Sequence, residues 1–505
     1  MFMLYVTLVL LVVICILYLF SIRTFNYWKN KNVAGPKPVP LFGNIAQTAF
    51  REKYMGEDIK EIYEQFPNEK IVGFYRMTSP ALLIRDLDIV KAIMIKDFDL
   101  FIDRGMEFGK DGLGVNMFHA DGETWKVLRS TFSPIFSTGK LKNITYLISE
   151  YADKHVHYIE QLHSEPPEMK VVPLTRNYTI ATVMATAFGL DLDINDNVYK
   201  KLADIDKLMF STNFVLELDM LFPGLIKTLE TYVLPKKIQI FFEDLVSTVI
   251  KQRNGEPTDR NDFMDLILAM RKEGEISKTR GDNTISLTIT NNLIAAQAFF
   301  FYFGGYETSG TTTAFLLYEL SVNPDVQSKV IAEIDEMLEK MNGKVTYDSL
   351  MGMSYLGRVF DETLRMHPVV ESFAVQRNAL REYKIPDTDV TIPKGMLVCV
   401  SPSGIHYDEK YYPNPYVFDP DRFLPENANN RHSCAYLAFG VGPRNCVGQR
   451  LGKLQVLMYV VKLLSKFRLE PSDNTPSSAK NMKYNARRLL RGPPEDLSLR
   501  FVNRN

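Results

Sequence analysis

The sequence predicts a mainly α-helical protein with a small β portion and one N-terminal transmembrane helix. Three observations predict it. Residues 1–22 carry no charge and are almost wholly apolar, a length that crosses a bilayer core of ~30 Å. Apolar residues recur at helical spacing over 286–320, 354–365 and 451–464. Alternation of the strand type is confined to short stretches at 71–76, 81–84 and 383–400. The chain divides into a signal anchor at 1–22, a basic and proline-rich hinge at 23–44, and a body at 45–505.

In order along the chain, the leader has only Thr7 and Ser21 as clearly polar residues. Its bulky end, through Ile16 and Phe20, disfavours signal cleavage. Arg23, Lys29 and Lys31 follow it, which predicts a lumenal N-terminus and a cytosolic body. The acceptor-like triplets beginning at Asn143 and Asn177 are then expected to stay unmodified. Gly35-Pro36-Lys37-Pro38-Val39-Pro40 makes a stiff, extended segment. Strands 71–76 and 81–84 form a hairpin about Thr78-Ser79-Pro80. The helix at 286–320 stops before Asn323-Pro324, a cap and first-turn pair for the next helix. The helix at 354–365 ends near Pro368, strands within 383–400 flank Pro386-Asp387, and 401–445 is rich in loops. Leu451, Leu454, Leu457, Val461 and Leu464 mark one face of the last long helix.

Lys plus Arg number 59 and Asp plus Glu 60, so no global charge points to nucleic acid. Cys15, Cys399, Cys434 and Cys446 show neither CxxC spacing nor a dense framework, which disfavours zinc and a disulfide scaffold. The histidines have no close ligand spacing, and His367, His406 and His432 read as surface or capping residues. No GxGxxG follows a strand, so a nicotinamide or flavin domain is not expected.

The chemistry concentrates in Phe439-Gly440-Val441-Gly442-Pro443-Arg444-Asn445-Cys446-Val447-Gly448. It sets one cysteine after a glycine-rich turn and before a helix, where backbone N–H groups favour a thiolate. Glycines let backbone approach a flat cofactor, and Arg444 offers a cation to a cofactor carboxylate. The run resembles the haem-binding loop of the cytochromes P-450, with Cys446 as axial ligand to the iron of haem b. The resemblance implies the fold of that family, with 45–505 as a haem-thiolate catalytic domain.

Other motifs match the family residue by residue. Gly304-Gly305-Tyr306-Glu307-Thr308 makes a notch in the long helix and resembles the acid–alcohol pair that delivers protons during O2 activation, with Glu307 and Thr308 catalytic. Glu362-x-x-Arg365 alone is common on any helix. With Pro415-x-x-Phe418-x-Pro420-Asp421-Arg422-Phe423, the resemblance implies a buried Glu362–Arg365–Arg422 cluster behind the cysteine loop. Trp125 and Arg129 share a helical face, and the resemblance assigns them, with Arg104, Arg377 and Arg444, to the haem propionates. Phe439 and Gly448 would border the haem.

The substrate pocket is expected at Phe299, Phe303 and Gly304, at Phe108 and Phe118 in the loop 106–119, and at Val369, Val370, Phe373 and Ala374. Phe299 and Phe303 share a helical face, and their rings favour flat or slender apolar substrates. Two departures from the family pattern are Ala438, where a proline is usual, and Met366-His367 before Pro368. Asp103-Arg104-Gly105 and Ile405-His406-Tyr407-Asp408 look most like insect microsomal members that oxidise foreign compounds and hormones. The expected activity is insertion of one oxygen atom from O2 into a lipophilic substrate at the endoplasmic reticulum membrane. Electrons would come from NADPH through NADPH–cytochrome P-450 reductase, with cytochrome b5 a second candidate donor. Lys126, Lys140, Lys142, Arg450 and Lys453 could meet such an acidic partner. The alternatives are a haem-based lipophile-binding or gas-sensing protein, and an O2-independent haem-thiolate isomerase or dehydratase.

Overall fold

The computed structural model describes residues 1–54, 56–106, 112–162, 167–192, 198–210, 235–260, 262–280 and 283–504. The first helix, α1 (Phe2–Ile22), is apolar along its length and stands outside the body, with nearly every side chain exposed. It is long and apolar enough to cross a membrane.

The segment after α1 is tied to a sheet. Its first two strands, β1 (Ile71–Arg76) and β2 (Ser79–Ile84), form the antiparallel hairpin expected from the sequence. The turn between them is Met77-Thr78, with Met77 at φ 55°, so strand structure already resumes at Ser79. β2 pairs in parallel with strand Leu397–Val400, which pairs with strand Arg377–Asn378. Trp28 is buried and donates from Nε1 to Phe74 O at 3.0 Å. Its indole fills the space above Gly73, where a Cβ would fall 2.3 Å from Trp28 Cγ. Thr24 donates to Thr78 O and Gly73 N–H to Ala34 O. The proline-rich segment thus lies against the sheet as part of the body.

The core is built around the long helix Asn291–Val322, buried on nearly every side. Its N-cap Thr290 accepts from Leu293 N–H at 3.1 Å. The helix starts later than the period suggested, because 283–288 is a strand paired with Glu275–Arg280. Its Thr-Ile-Ser-Leu-Thr alternation satisfies a strand and blurs the helical period. Asn323 does not cap the next helix through its side chain; Nδ2 donates back to Glu319 O at 2.8 Å, while Pro324 takes the first helical position.

Helix Val171–Val183 crosses the long helix where glycines remove side chains. A Cβ on Gly305 would meet Val183 Cγ2 at 3.0 Å, and one on Gly310 would meet Thr179 Oγ1 at 2.8 Å. Helices Ser354–Met366 and Gln449–Leu464 complete the frame and carry the ion-pair motif and the chain that follows Cys446.

His367 and His406 correct the sequence reading, because both are fully buried. His367 stacks on Phe315 at 4.3 Å, and its Nε2 meets Glu319 Oε1 at 2.6 Å. His406 donates from Nδ1 to Arg365 O and accepts at Nε2 from Leu437 N–H at 2.8 Å, which fixes a neutral ring. His432 does cap, accepting from Cys434 N–H at 3.1 Å.

Candidate active site

The cysteine loop closes on itself before the helix begins. Cys446 N–H donates to Phe439 O at 2.8 Å, and Asn445 N–H to Gly442 O at 3.0 Å. Gly442 has φ 74°, and a Cβ there would lie 2.0 Å from Met94 O. Only glycine allows this approach. The Cys446 side chain is reached from a cavity while protein surrounds it. Burial pushes its thiol up, opposed by the N–H groups of Gly448 and Gln449 and by the guanidiniums of Arg129 and Arg104. Those donors favour the anion that a soft metal requires.

Four arginines gather beside this cavity. Arg104 donates to Ala374 O, Phe118 O and Arg444 O at 3.1, 2.7 and 3.1 Å. Arg444 donates to Phe118 O and Ala120 O, Arg377 to Gln376 O, and Arg129 to Asn445 O and Oδ1. All of these acceptors are neutral. Burial, then repulsion from the other arginines, holds Arg104 well below its ordinary value. Burial, with Arg444 next to it, brings Arg377 down to about 9, and burial brings Arg444 down to about 10. Nε of Arg377 and Nε of Arg444 have no acceptor among the described residues. The carboxylate paired with Arg444 is Asp121, 3.8 Å away and itself exposed. Such an excess of buried cations fits a group with two carboxylates, and the cysteine thiol that lines the cavity fits its metal. The Arg444 guanidinium also lies over the Trp125 ring at 4.5 Å.

Glu362 and Arg365 are fully buried, while Arg422, expected to be buried with them, is only partly so. Arg365 donates to Glu362 at 2.7 and 2.9 Å, and to His406 O and Pro415 O at 2.8 Å each. Arg422 Nε lies 3.4 Å from Glu362 Oε1, and its other nitrogens donate to Pro413 O and Asn414 O. Helix Ser354–Met366 is thereby tied to the loop preceding the cysteine.

The cavity has a volume of about 1620 Å3 counting its mouth. Phe118, Phe303, Gly304, Val369, Val370, Phe373 and Ala374 line it together with Cys446, Phe439 and the four arginines. Phe299 does not. Its ring packs edge-on against Phe242 at 5.5 Å and beside Phe303 at 5.7 Å. The stripe that faces the cavity is Phe300, Gly304, Thr308 and Thr312, spaced by four. Counting back by fours from Thr308 would have found Phe300; counting from Phe303 chose the neighbouring face. Phe301 also lines the wall, against Phe136 at 5.4 Å. Phe108 lies outside the described residues. Val183, Thr186, Phe136, Leu490 and Gln455 line the cavity too, with no local motif to announce them.

The acid and the alcohol part company. Thr308 lines the cavity and donates to Gly304 O at 2.6 Å. Glu307 turns away. Its carboxylate accepts from Arg176 at 2.8 and 3.0 Å and from Arg488 at 2.8 Å. Arg488 also pairs with Asp206 at 3.0 Å. A proton relay from Glu307 into the cavity requires the carboxylate to release a guanidinium. Of the basic residues near the cysteine loop, Lys126 pairs with Glu123 at 2.7 Å, Lys142 with Asp348 at 2.7 Å and Lys453 with Asp361 at 3.7 Å.

A mainly helical body, a cysteine that faces the cavity just before a helix and four clustered arginines that outnumber the carboxylates near them define a haem-thiolate protein. The cytochrome P450 family model matches residues 33–497. The chain is 50% identical over 505 residues to cytochrome P450 6B2 of Helicoverpa armigera, covering 100% of this chain and 99% of that protein. It is 50% identical over 465 residues to cytochrome P450 6B5 of Papilio glaucus, covering 92% and 97%. It is 34% identical over 478 residues to the probable cytochrome P450 6a14 of Drosophila melanogaster, covering 92% and 93%. The chain belongs to the cytochrome P450 family. It is a P450 monooxygenase, with haem-thiolate iron as its cofactor.

Proposed function

We propose that this monooxygenase is anchored in the endoplasmic reticulum membrane with its body on the cytosolic face. It oxidises lipophilic small molecules: xenobiotics such as plant toxins and insecticides, or endogenous hormones and lipids. NADPH–cytochrome P450 reductase supplies the electrons, and cytochrome b5 is a candidate second donor. The observation that carries this reading is the cavity: phenylalanine and valine walls that meet the Cys446 sulfur. Such walls bind apolar compounds and exclude water. The apolar, exposed α1 supports a membrane setting.

Haem b, when bound, supplies the oxidising chemistry, in which one atom of O2 enters the substrate and the other leaves as water. The chain's own residues do the rest. Cys446 ligates the iron, and Arg104, Arg129, Arg377 and Arg444 neutralise the carboxylates of the group, beside Trp125. Phe439 and Gly448 border it. Phe118, Phe303, Val369, Val370, Phe373 and Ala374 orient the substrate. Thr308 Oγ1 holds and passes a proton at the cavity wall, and Glu307 replenishes it after parting from Arg176 or Arg488. Glu362, Arg365 and Arg422 are structural and keep the cysteine loop in place.

The test is reconstitution of the holoenzyme with reductase and NADPH against a panel of lipophilic compounds. The expected result is reductase-dependent NADPH consumption with an oxygenated product. NADPH consumption without any oxygenated product across the panel overturns the reading.

A further inference from the structure

A second, polar pocket of about 560 Å3, counting its mouth, lies behind the wall of the main cavity. Val370 and Leu490 line the main cavity, and the next residues in the chain, Glu371 and Arg491, line this pocket. At both places consecutive residues of the chain line the two cavities.

The floor of the pocket is charged and buried, with Glu371 2% and Arg491 5% exposed. Ser403 donates to Glu371 Oε1, and Arg491 Nη1 donates to Ser403 Oγ at 2.8 Å. Arg491 Nη1 lies 3.5 Å from Glu371 Oε1. Among the described residues, Glu371 Oε2 and Arg491 Nε have no partner. One is a spare acceptor and the other a spare donor, where buried polar groups are normally paired. The walls are rings: Tyr407 with the Lys60 ammonium 4.5 Å from its centroid, Tyr484 with the Arg491 guanidinium at 3.9 Å, and Tyr416 at the rim. Gly56 lets backbone come down onto the acid, since a Cβ there would fall 2.4 Å from Glu371 Cγ.

We propose that this pocket is a second binding site, for a small hydroxylated aromatic compound. A hydroxyl donates and accepts at once, which suits an acid and a guanidinium that line one pocket together. A carboxylate would suit Arg491 and be repelled by Glu371, and an amine would do the reverse. A flat ring matches the tyrosine walls. A hydroxylated ring is also what oxidation of an aromatic substrate next door would release. That link rests on the proposed function; the binding itself does not.

The experiment uses the holoenzyme with its main cavity filled by an azole that ligates the iron, and titrates 1-naphthol and naphthalene by calorimetry. 1-Naphthol is expected to bind at one site, about tenfold more tightly than naphthalene, the worth of a hydrogen bond to a charged group. The Soret band of the azole complex should not move. Tyr416→Ala, at a residue 47% exposed, should weaken both probes while leaving turnover unchanged. Glu371→Gln should bring the two affinities together; if it fails to fold, the probe comparison and Tyr416→Ala still decide. No 1-naphthol binding in the blocked enzyme, equal affinity for the two probes, or indifference to Tyr416→Ala overturns the site. Reductase-dependent turnover of a lipophilic substrate is measured on the same preparation. Binding without turnover rejects the proposed function alone, and turnover without binding rejects the second site alone.

Discussion

Cys446 offers its sulfur to the cavity from a loop held by its own backbone hydrogen bonds and by Arg129 on Asn445. Cys446→His should therefore fold, yet lose the strongly red-shifted Soret band of the ferrous carbon monoxide complex, which needs thiolate ligation. Persistence of that band in folded protein would remove Cys446 as the ligand. The phenylalanines of the long helix divide by face. Phe300→Ala and Phe303→Ala enlarge the cavity and should shift the position of oxidation or admit bulkier substrates. Phe299→Ala should instead lower stability by ~3–5 kcal/mol, the usual cost of truncating a buried ring, with product pattern unchanged. Product analysis beside thermal unfolding separates the two. His406 carries a pH signature. Burial lowers its pKa from the ordinary 6.5 of a histidine to about 3, so its neutral ring stabilises the fold fully above the unfolded value. That contribution falls away as pH drops below the unfolded value, at about 1.4 kcal/mol per pH unit. His406→Gln should flatten the acid side of the stability profile by that slope. At this scale the sequence made cysteine, arginines and Thr308 legible, because each sits in a short motif. It hid the partners of Glu307, since Arg176 and Arg488 lie 131 and 181 residues away with no pattern to announce them.

The long helix Asn291–Val322 uses its glycines in two ways. Gly310 receives the backbone of helix Val171–Val183, with Arg176 Cα 3.3 Å from where a Cβ would be. Gly304 faces the cavity and has nothing within 4 Å of that point. Gly310→Val should thus destabilise by ~1–3 kcal/mol through overpacking. Gly304→Ala should leave stability unharmed and narrow the cavity above the cysteine. Equal melting temperatures for the two variants would contradict this division. Helix ends were harder to read than helix centres. The alternating strand at 283–288 leads into the helix after only two residues, and its hydrogen-bonded partner at 275–280 marks it as strand. His367 and His406 lie in sequence that reads as loop, which suggests exposure, yet long-range neighbours bury both.

For the whole molecule, deletion of residues 1–22 should release much of the protein from microsomal membranes and leave the folded body intact. Protease added to intact microsomes should digest the body; a protected body would reverse the proposed topology. Deletion of 1–44 should do more, because it removes Trp28 from the sheet, at ~3–5 kcal/mol for a buried aromatic. The extent of the apolar first helix was plain from hydropathy. The union of the next segment with the sheet was not, because three prolines in Pro36, Pro38 and Pro40 look the same in a loose connector and in a strap.

That strap has a mechanical consequence. Thr24 and Trp28 are pinned to the hairpin only a few residues beyond Ile22. With α1 seated in a bilayer, the protein is a rudder fixed to its shaft rather than a buoy on a slack line. A turn of the shaft then carries the mouth of the cavity with it, within the play of the residues between Ile22 and Thr24. Meeting a redox partner then becomes a matter of compass heading within a plane, and the torsional stiffness of two or three residues near Arg23 sets how wide that heading can wander.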